Sequence, residues 1–345
     1  MNNDKMRALA AYDSNNMKIV ELPIPEPDDY EVLVKNEGCS FCNTTDKMIV
    51  RNLFHTPAYP VVIGHESFGK VIKVGKKVKK FKLGDRVICS NAIVNGYNGE
   101  FYSTWGGFAE YGIAGDLEAY LEDNKEIDGA NAYRQRYQAN LVIPNTLPTD
   151  KAALVFPFAE VASAIKQVGC LKDKSVVVIG TGMVGYLFTY FSAQYGAKQI
   201  TALGLVEERL KISEVLGATK TFINVDEAES YISSVGGADI IFECSGNPRA
   251  LEKGMPYLKE GGKLACFSVS TSPYLFNLSR CPINYSYQHI DPETEKAIDE
   301  VCELLEKDKI PTDIFITHKW NFDNAVEAFN TLYTDTVIKG IVFFE

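Results

Sequence analysis

The chain has 345 residues, 46% of them hydrophobic, and a net charge of −10 at neutral pH, a length that exceeds one ordinary core and predicts two domains. That acidity excludes a nucleic-acid partner, whose phosphates demand a basic face, and the basic stretch Lys73–Lys82, interleaved with Val74, Val78 and Phe81, reads as the solvated side of a strand and turn. No apolar run approaches the ~20 residues that cross a bilayer, the opening Met1–Lys5 lacks a signal peptide's apolar region, and the 8 cysteines are scattered; a cytoplasmic protein without disulfides or membrane partners is expected.

From Met6 to about Asp150 the pattern is β-like. Glu31–Lys35, Val61–Ile63, Gly69–Val74 and Asp85–Cys89 are short apolar or alternating runs, punctuated by Pro23, Pro25, Pro27, Gly75 and Gly84, which predicts a small barrel-like β domain. A polar, helix-prone segment over about 115–140 interrupts it, between Trp105–Tyr111 and Leu141–Pro144. It reads as a solvated surface helix, with a lid using Tyr133, Arg134, Arg136 or Tyr137 as the functional alternative.

From about Lys151 the texture changes to alternating strands and helices. Ser175–Ile179 is an apolar strand, Gly180-Thr181-Gly182-Met183-Val184-Gly185 is a glycine-rich turn, and Tyr186–Tyr195 reads as a helix. This is the arrangement of a dinucleotide phosphate cradle: the first glycine permits a tight turn, the second lets backbone approach a pyrophosphate, and the third lets helix pack on strand. Strands at Lys198–Leu203, Ala238–Glu243 and Lys263–Ser268 and a helix at Glu207–Leu216 continue a parallel α/β series. After about Tyr287, a helix over Pro292–Lys307, a strand near Phe315, a helix over Phe322–Leu332 and a closing strand Gly340–Phe344 carry no cradle and are expected to return to the first domain. The boundaries read as 1–153, 154–288 and 289–345.

Gly38-Cys39-Ser40-Phe41-Cys42-Asn43-Thr44-Thr45-Asp46, then Gly64-His65-Glu66, then Gly106–Tyr111 and Gly217-Ala218 resemble the zinc-dependent medium-chain alcohol dehydrogenases, and the resemblance covers almost the whole chain. It implies a GroES-like, β-rich catalytic domain, a Rossmann domain with a doubly wound parallel sheet, and a C-terminal return. It also implies a catalytic zinc, which takes three ligands from thiolate, imidazole and carboxylate and leaves a fourth position open. Cys42 and His65 match the first two. Glu160, in Phe156–Ser163, resembles the glutamate ligand of the polyol, sorbitol-like branch; capping the following helix is its structural alternative. Glu66 resembles a family glutamate beside the metal, and Thr44 the hydroxyl of a proton relay. Cys39 is expected to be a packed thiol, and His55 a surface or hydrogen-bonding histidine.

Two departures stand out. The acid that supports the histidine falls one place late, at Asp46, and the four-cysteine lobe for a structural zinc is missing, since the cysteine after Cys89 is Cys170. One zinc per chain is therefore expected. Alignment with the family's second helix places Gly204 where an NAD-selective domain carries an acid that bonds the ribose, so NADP(H) is favoured over NAD(H). Arg209 or Lys211 could add positive charge there or belong to a solvated helix face. The implied activity interconverts a secondary alcohol, polyol or sugar-like, with its ketone, with Phe41, Phe54, Tyr97 and Trp105 as candidate pocket walls. A zinc-free quinone or enoyl reductase and a non-catalytic NADP(H)-binding protein are the rival readings. Leu264–Phe276 is the stretch expected to supply an edge strand to a homodimer or homotetramer.

Overall fold

The computed structural model describes residues 5–53, 59–94, 96–123, 137–223, 225–270, 272–334 and 336–344. Phe54, His55, Tyr133, Arg134 and Arg136 lie outside the described residues. The chain divides into two compact units, Met1–Phe156 with Ile298–Glu345, and Pro157–Ala297.

The first unit is organised around the strand Glu31–Ser40, whose side chains are almost all buried. It pairs antiparallel with Glu66–Val74, with Tyr111–Gly115 and with Lys339–Phe343, a central position that accounts for the burial of its side chains, polar ones included. Lys339–Phe343 also runs parallel to Ile316–Asn321. The closing segments therefore enter the same sheet as the start of the chain. They share its core too: Phe322, Phe329 and Leu332 pack with Phe41, Ile49, Val50 and Phe108. A second sheet holds the hairpin Lys5–Asp13 and Asn16–Pro23 together with Val61–Val62 and Tyr102–Ser103.

Two readings of this unit change. Tyr137 is not part of an exposed lid: it is fully buried, clusters with Leu33 and Ile113, and donates its hydroxyl hydrogen to Glu31. Phe41 is not a pocket wall but a core residue, its ring 4.3 Å from that of Phe108. The basic stretch behaves as a solvated face, with Lys73 paired to Glu26, Lys77 to Asp123 and Lys79 to Glu122.

In the second unit a six-stranded parallel sheet, counted among the described residues, runs in spatial order Lys220–Phe222, Gln199–Leu203, Ser175–Ile179, Ala238–Glu243, Leu258–Cys266, Tyr285–His289. This is the doubly wound 3-2-1-4-5-6 order of the Rossmann fold, whose strand order reverses between Ser175–Ile179 and Ala238–Glu243. Val177, Ile179, Leu203, Ile241 and Leu264 pack with Ala228, Ile232 and Leu251 of the helices Val225–Ser234 and Pro248–Gly254. The outer strand overturns the edge expected at Leu264–Phe276. Leu264–Cys266 is an interior strand segment, and the edge is Tyr285–His289, whose residues alternate little and stay half-exposed or exposed. Among the described residues no helix is long and apolar enough to cross a membrane.

Candidate functional site

Gly64 turns the chain into His65 with a φ of +95°, and a Cβ there would lie 2.4 Å from the Phe108 ring, so glycine is required by conformation and by space. His65 precedes the strand Glu66–Val74, and Cys42 follows Glu31–Ser40, its neighbour in the sheet. Pairing of Ser40 with Glu66 therefore brings the two sequence motifs together. The ligand atoms of Cys42, His65 and Glu66 all lie within 4.8 Å of one another.

The neighbouring groups orient this trio. Asp46 is fully buried in the first turn of the helix Thr45–Val50. One of its oxygens accepts from the Cys42 amide at 2.9 Å and the other stands 3.4 Å from His65 Nδ1. The acid displaced by one place in sequence thus still reaches the histidine, because the helix turns it back. With Nδ1 facing Asp46, Nε2 is left for an ion, the usual role of an outer carboxylate in a metal site. Burial opposes charge on His65, but hydrogen bonding to Asp46 and to Cys42 outweighs it and pushes the imidazole well above its ordinary range.

Glu66 has a different environment. One oxygen accepts from Lys339 Nζ at 2.6 Å and from the Ser40 hydroxyl, while the other stands 4.0 Å from His65 Nε2. Lys339 also donates to the Phe41 carbonyl at 2.9 Å. Burial would lower the Lys339 pKa, but Glu66 and Cys42 raise it, and the ammonium form is held. Sequence reasoning missed Lys339. A lysine inside the apolar closing run Val337–Phe344 was the available signal, since a buried lysine needs a carboxylate.

Cys39 is completely buried, and burial followed by the nearby Asp46 and Glu66 charges pushes its thiol well up, as befits a packed thiol. Thr44 caps the helix start, exposed and without a capping bond from its side chain. The Trp105 ring centre lies 5.2 Å from that of His65, whereas Tyr97, 46% exposed, stacks on Tyr102 at 4.4 Å. Glu160 belongs to the second unit and sits mid-way along the helix Thr149–Val168, which removes the capping alternative for it. The thiolate, imidazole and carboxylate that converge in the first unit are a donor set suited to zinc.

The second unit carries the cradle. Gly180 leaves the strand Ser175–Ile179 with a φ of +117°, and Gly182 precedes the helix Met183–Gln194 in extended conformation. A Cβ on Gly182 would meet nothing within 4 Å, whereas one on Gly185 would lie 1.9 Å from the Gly180 carbonyl oxygen. Open approach at the second glycine and contact at the third are what a pyrophosphate on a helix N-terminus requires. Met183 and Val184 form the first helical turn. Gly204 ends the neighbouring strand Gln199–Leu203, and a Cβ there would lie 2.5 Å from Thr181 Oγ1. Lys211 is held by Glu207 at 3.2 Å, which makes it part of a solvated helix face. Arg209 is half-buried, its carbonyl accepting from the Tyr186 hydroxyl at 3.2 Å. At the carboxyl end of the next strand Glu243, fully buried, accepts from the amides of Ser245 and Gly246 and from the hydroxyl of Tyr274. It was not singled out from the sequence, where a charge closing the apolar run Ile240–Phe242 was the clue.

Comparison with known proteins agrees with this geometry. The family model described as "Alcohol dehydrogenase GroES-like domain" matches residues 28–119, and that described as "Zinc-binding dehydrogenase" matches 184–286. The chain is 27% identical to a sorbitol dehydrogenase of Bacillus subtilis over 269 residues, 75% of this chain and 74% of the relative. It is 25% identical to a D-xylulose reductase of Saccharomyces cerevisiae over 325 residues, 90% and 89% of the two chains. The crystal structure of benzyl alcohol dehydrogenase from Acinetobacter calcoaceticus superposes with a TM-score of 0.82 at 20% identity, over 99% of each chain.

Proposed function

Because the chain belongs to the zinc-containing medium-chain alcohol dehydrogenase family, we propose that it interconverts a polyol or sugar-like secondary alcohol with its ketone, using one catalytic zinc per chain and NADP(H) in preference to NAD(H). The general activity, a zinc-dependent and nicotinamide-linked oxidoreductase acting on CH–OH, follows from the family. The observation that carries the site assignment is the convergence of Cys42, His65 and Glu66 within 4.8 Å. A quinone or enoyl reductase without zinc, or a protein that only binds the nucleotide, has no use for it. The likeness to a sorbitol dehydrogenase and a D-xylulose reductase supports the polyol class.

Zinc, when bound, supplies Lewis acidity to the substrate oxygen, and the nicotinamide supplies the hydride acceptor. The protein's own part is to place them. Cys42 gives the thiolate and His65 the imidazole, oriented by Asp46, and Glu160 is the third ligand in this reading. Glu66 stands beside them as a second carboxylate, restrained by Lys339. Thr44, exposed at the helix start, passes the alcohol proton towards solvent. Gly180 to Gly185 receive the pyrophosphate, and Gly204, lacking a carboxylate, admits a 2′-phosphate.

We also assign the edge Tyr285–His289 to a homodimer contact, from which a homotetramer can be built. It has no lysine or glutamate to protect an open edge, and Ile283, two residues before it, is 90% exposed. Turnover of sorbitol, xylitol, aliphatic alcohols and benzyl alcohol with both cofactors tests the function: a kcat/KM for polyols about tenfold above the others is expected. Preference for aromatic or simple aliphatic alcohols would overturn the substrate class.

A further inference from the structure

We propose that Thr181 and Gly204 act as one coupled element of cofactor choice: the branched side chain of Thr181 fills the space that any side chain at position 204 needs, so an acid at 204 is admitted only when residue 181 is unbranched. The selecting half rests on the reading that position 204 faces the adenosine ribose. The steric half stands on the geometry alone.

Both backbones are pinned. The Gly180 amide donates to the Leu203 carbonyl at 2.9 Å, and the Gly204 amide donates to the Phe222 carbonyl at 3.1 Å. Thr181, only 8% exposed, lies between these anchors. A Cβ on residue 204 would stand 2.5 Å from Thr181 Oγ1, 2.6 Å from Cγ2 and 3.1 Å from Cβ. The first two distances lie far inside van der Waals contact and belong to the γ atoms; the third, to Thr181 Cβ, is tighter than ordinary contact and asks for a few tenths of an ångström of give whatever γ atoms residue 181 carries.

Rotation of Thr181 does not relieve them. A threonine Cβ has three staggered positions, of which its γ atoms fill two. Both filled positions here face residue 204. Turning χ1 to another staggered well empties one of them and leaves the other occupied. Serine has a single γ atom, which can take the third position, and alanine has none. Valine is branched like threonine and keeps the block. An acid at this strand end bonds the ribose hydroxyls and repels a 2′-phosphate, so the shape of Thr181 holds that carboxylate out of the cradle.

The test is a double-mutant cycle on the full-length protein, read by thermal midpoint and by calorimetric dissociation constants of NADP+ and NAD+. Gly204→Ala, which adds bulk without charge, should lower the midpoint by several degrees with Thr181 present and equally in Thr181→Val. In Thr181→Ser the drop should be less than half as large. Gly204→Asp alone should lose affinity for both cofactors, and Thr181→Ser with Gly204→Asp should bind NAD+ while its NADP+-to-NAD+ affinity ratio falls about tenfold or more. Equal midpoint losses in all three backgrounds overturn the coupling. A coupled midpoint with an unmoved affinity ratio in the double variant overturns its role in selection. A wild type that prefers NAD+ contradicts the cofactor reading of the previous section, whereas a flat midpoint cycle contradicts this one whatever the wild type prefers.

Discussion

Replacing Lys339 with methionine removes the ammonium from a pair in which both side chains are only 3% exposed. At the observed 2.6 Å the attraction is roughly 6 kcal/mol at an effective dielectric of about 20. Desolvation of both ions offsets part of it, and removing one partner of such a pair costs about 3–5 kcal/mol, because the other charge stays buried. The Ser40 hydroxyl still donates to Glu66, which places the expectation near the lower end, about 3 kcal/mol. Lys339→Met with Glu66→Gln should recover a large part of the loss, since no ion is then stranded. The two tryptophans of the chain, Trp105 and Trp320, both lie in the first unit, so urea unfolding followed by their fluorescence reports on the right part of the molecule. A loss below about 1 kcal/mol for Lys339→Met, or costs that simply add in the double variant, would refute the reasoning.

Asp46→Asn should leave the fold intact and weaken zinc about 10–100-fold in a chelator competition, because Asp46 holds both the Cys42 amide and the His65 ring; unchanged affinity would show that the histidine is oriented by something else. Asp239 gives a pH signature. Burial would raise its pKa, but Lys259, the Ser175 amide and Lys174 outweigh that and hold it below the ordinary aspartate value of 3.8. Its contribution is therefore fully present above that ordinary value and is lost as pH falls through the lower folded one. Asp239→Asn should cost about 0.5–1 kcal/mol at neutral pH, a modest figure because both lysines are nearly half-exposed, and the difference from wild type should vanish once pH has fallen below the lowered folded pKa of Asp239. A gap that persists there would assign the loss to something other than the charge.

What could be read from the sequence follows from how local each signal is. The strand Ser175–Ile179 and the centre Ile240–Phe242 of the strand Ala238–Glu243 are apolar because parallel strands are covered on both faces, and the observed bounds of both strands coincide with the reading. The edge strand Tyr285–His289, largely exposed, has no such pattern, and the boundary at 288 falls inside it. The reach of Asp46 to His65 was obscured by an extra residue, which helical geometry absorbs but spacing alone does not reveal. Lys339 and Glu66 are far apart in sequence, and only the return of the closing strand joins them. Thr181 was legible as a member of the glycine turn. Its contact with Gly204 depends on two parallel strand ends standing side by side, a relation that no local pattern encodes.

The central claim is a catalytic zinc held by Cys42, His65 and a glutamate. The measurement that bears on it most directly is elemental zinc in the purified full-length protein, taken with alcohol oxidation rates on the same samples. The wild type should carry about one zinc per chain, Cys42→Ser and His65→Ala should lose metal and activity together while remaining folded, and Glu160→Ala should lose zinc affinity if it is the third ligand. Variants of Cys42 or His65 that turn over at the wild-type rate with no zinc bound would contradict the account.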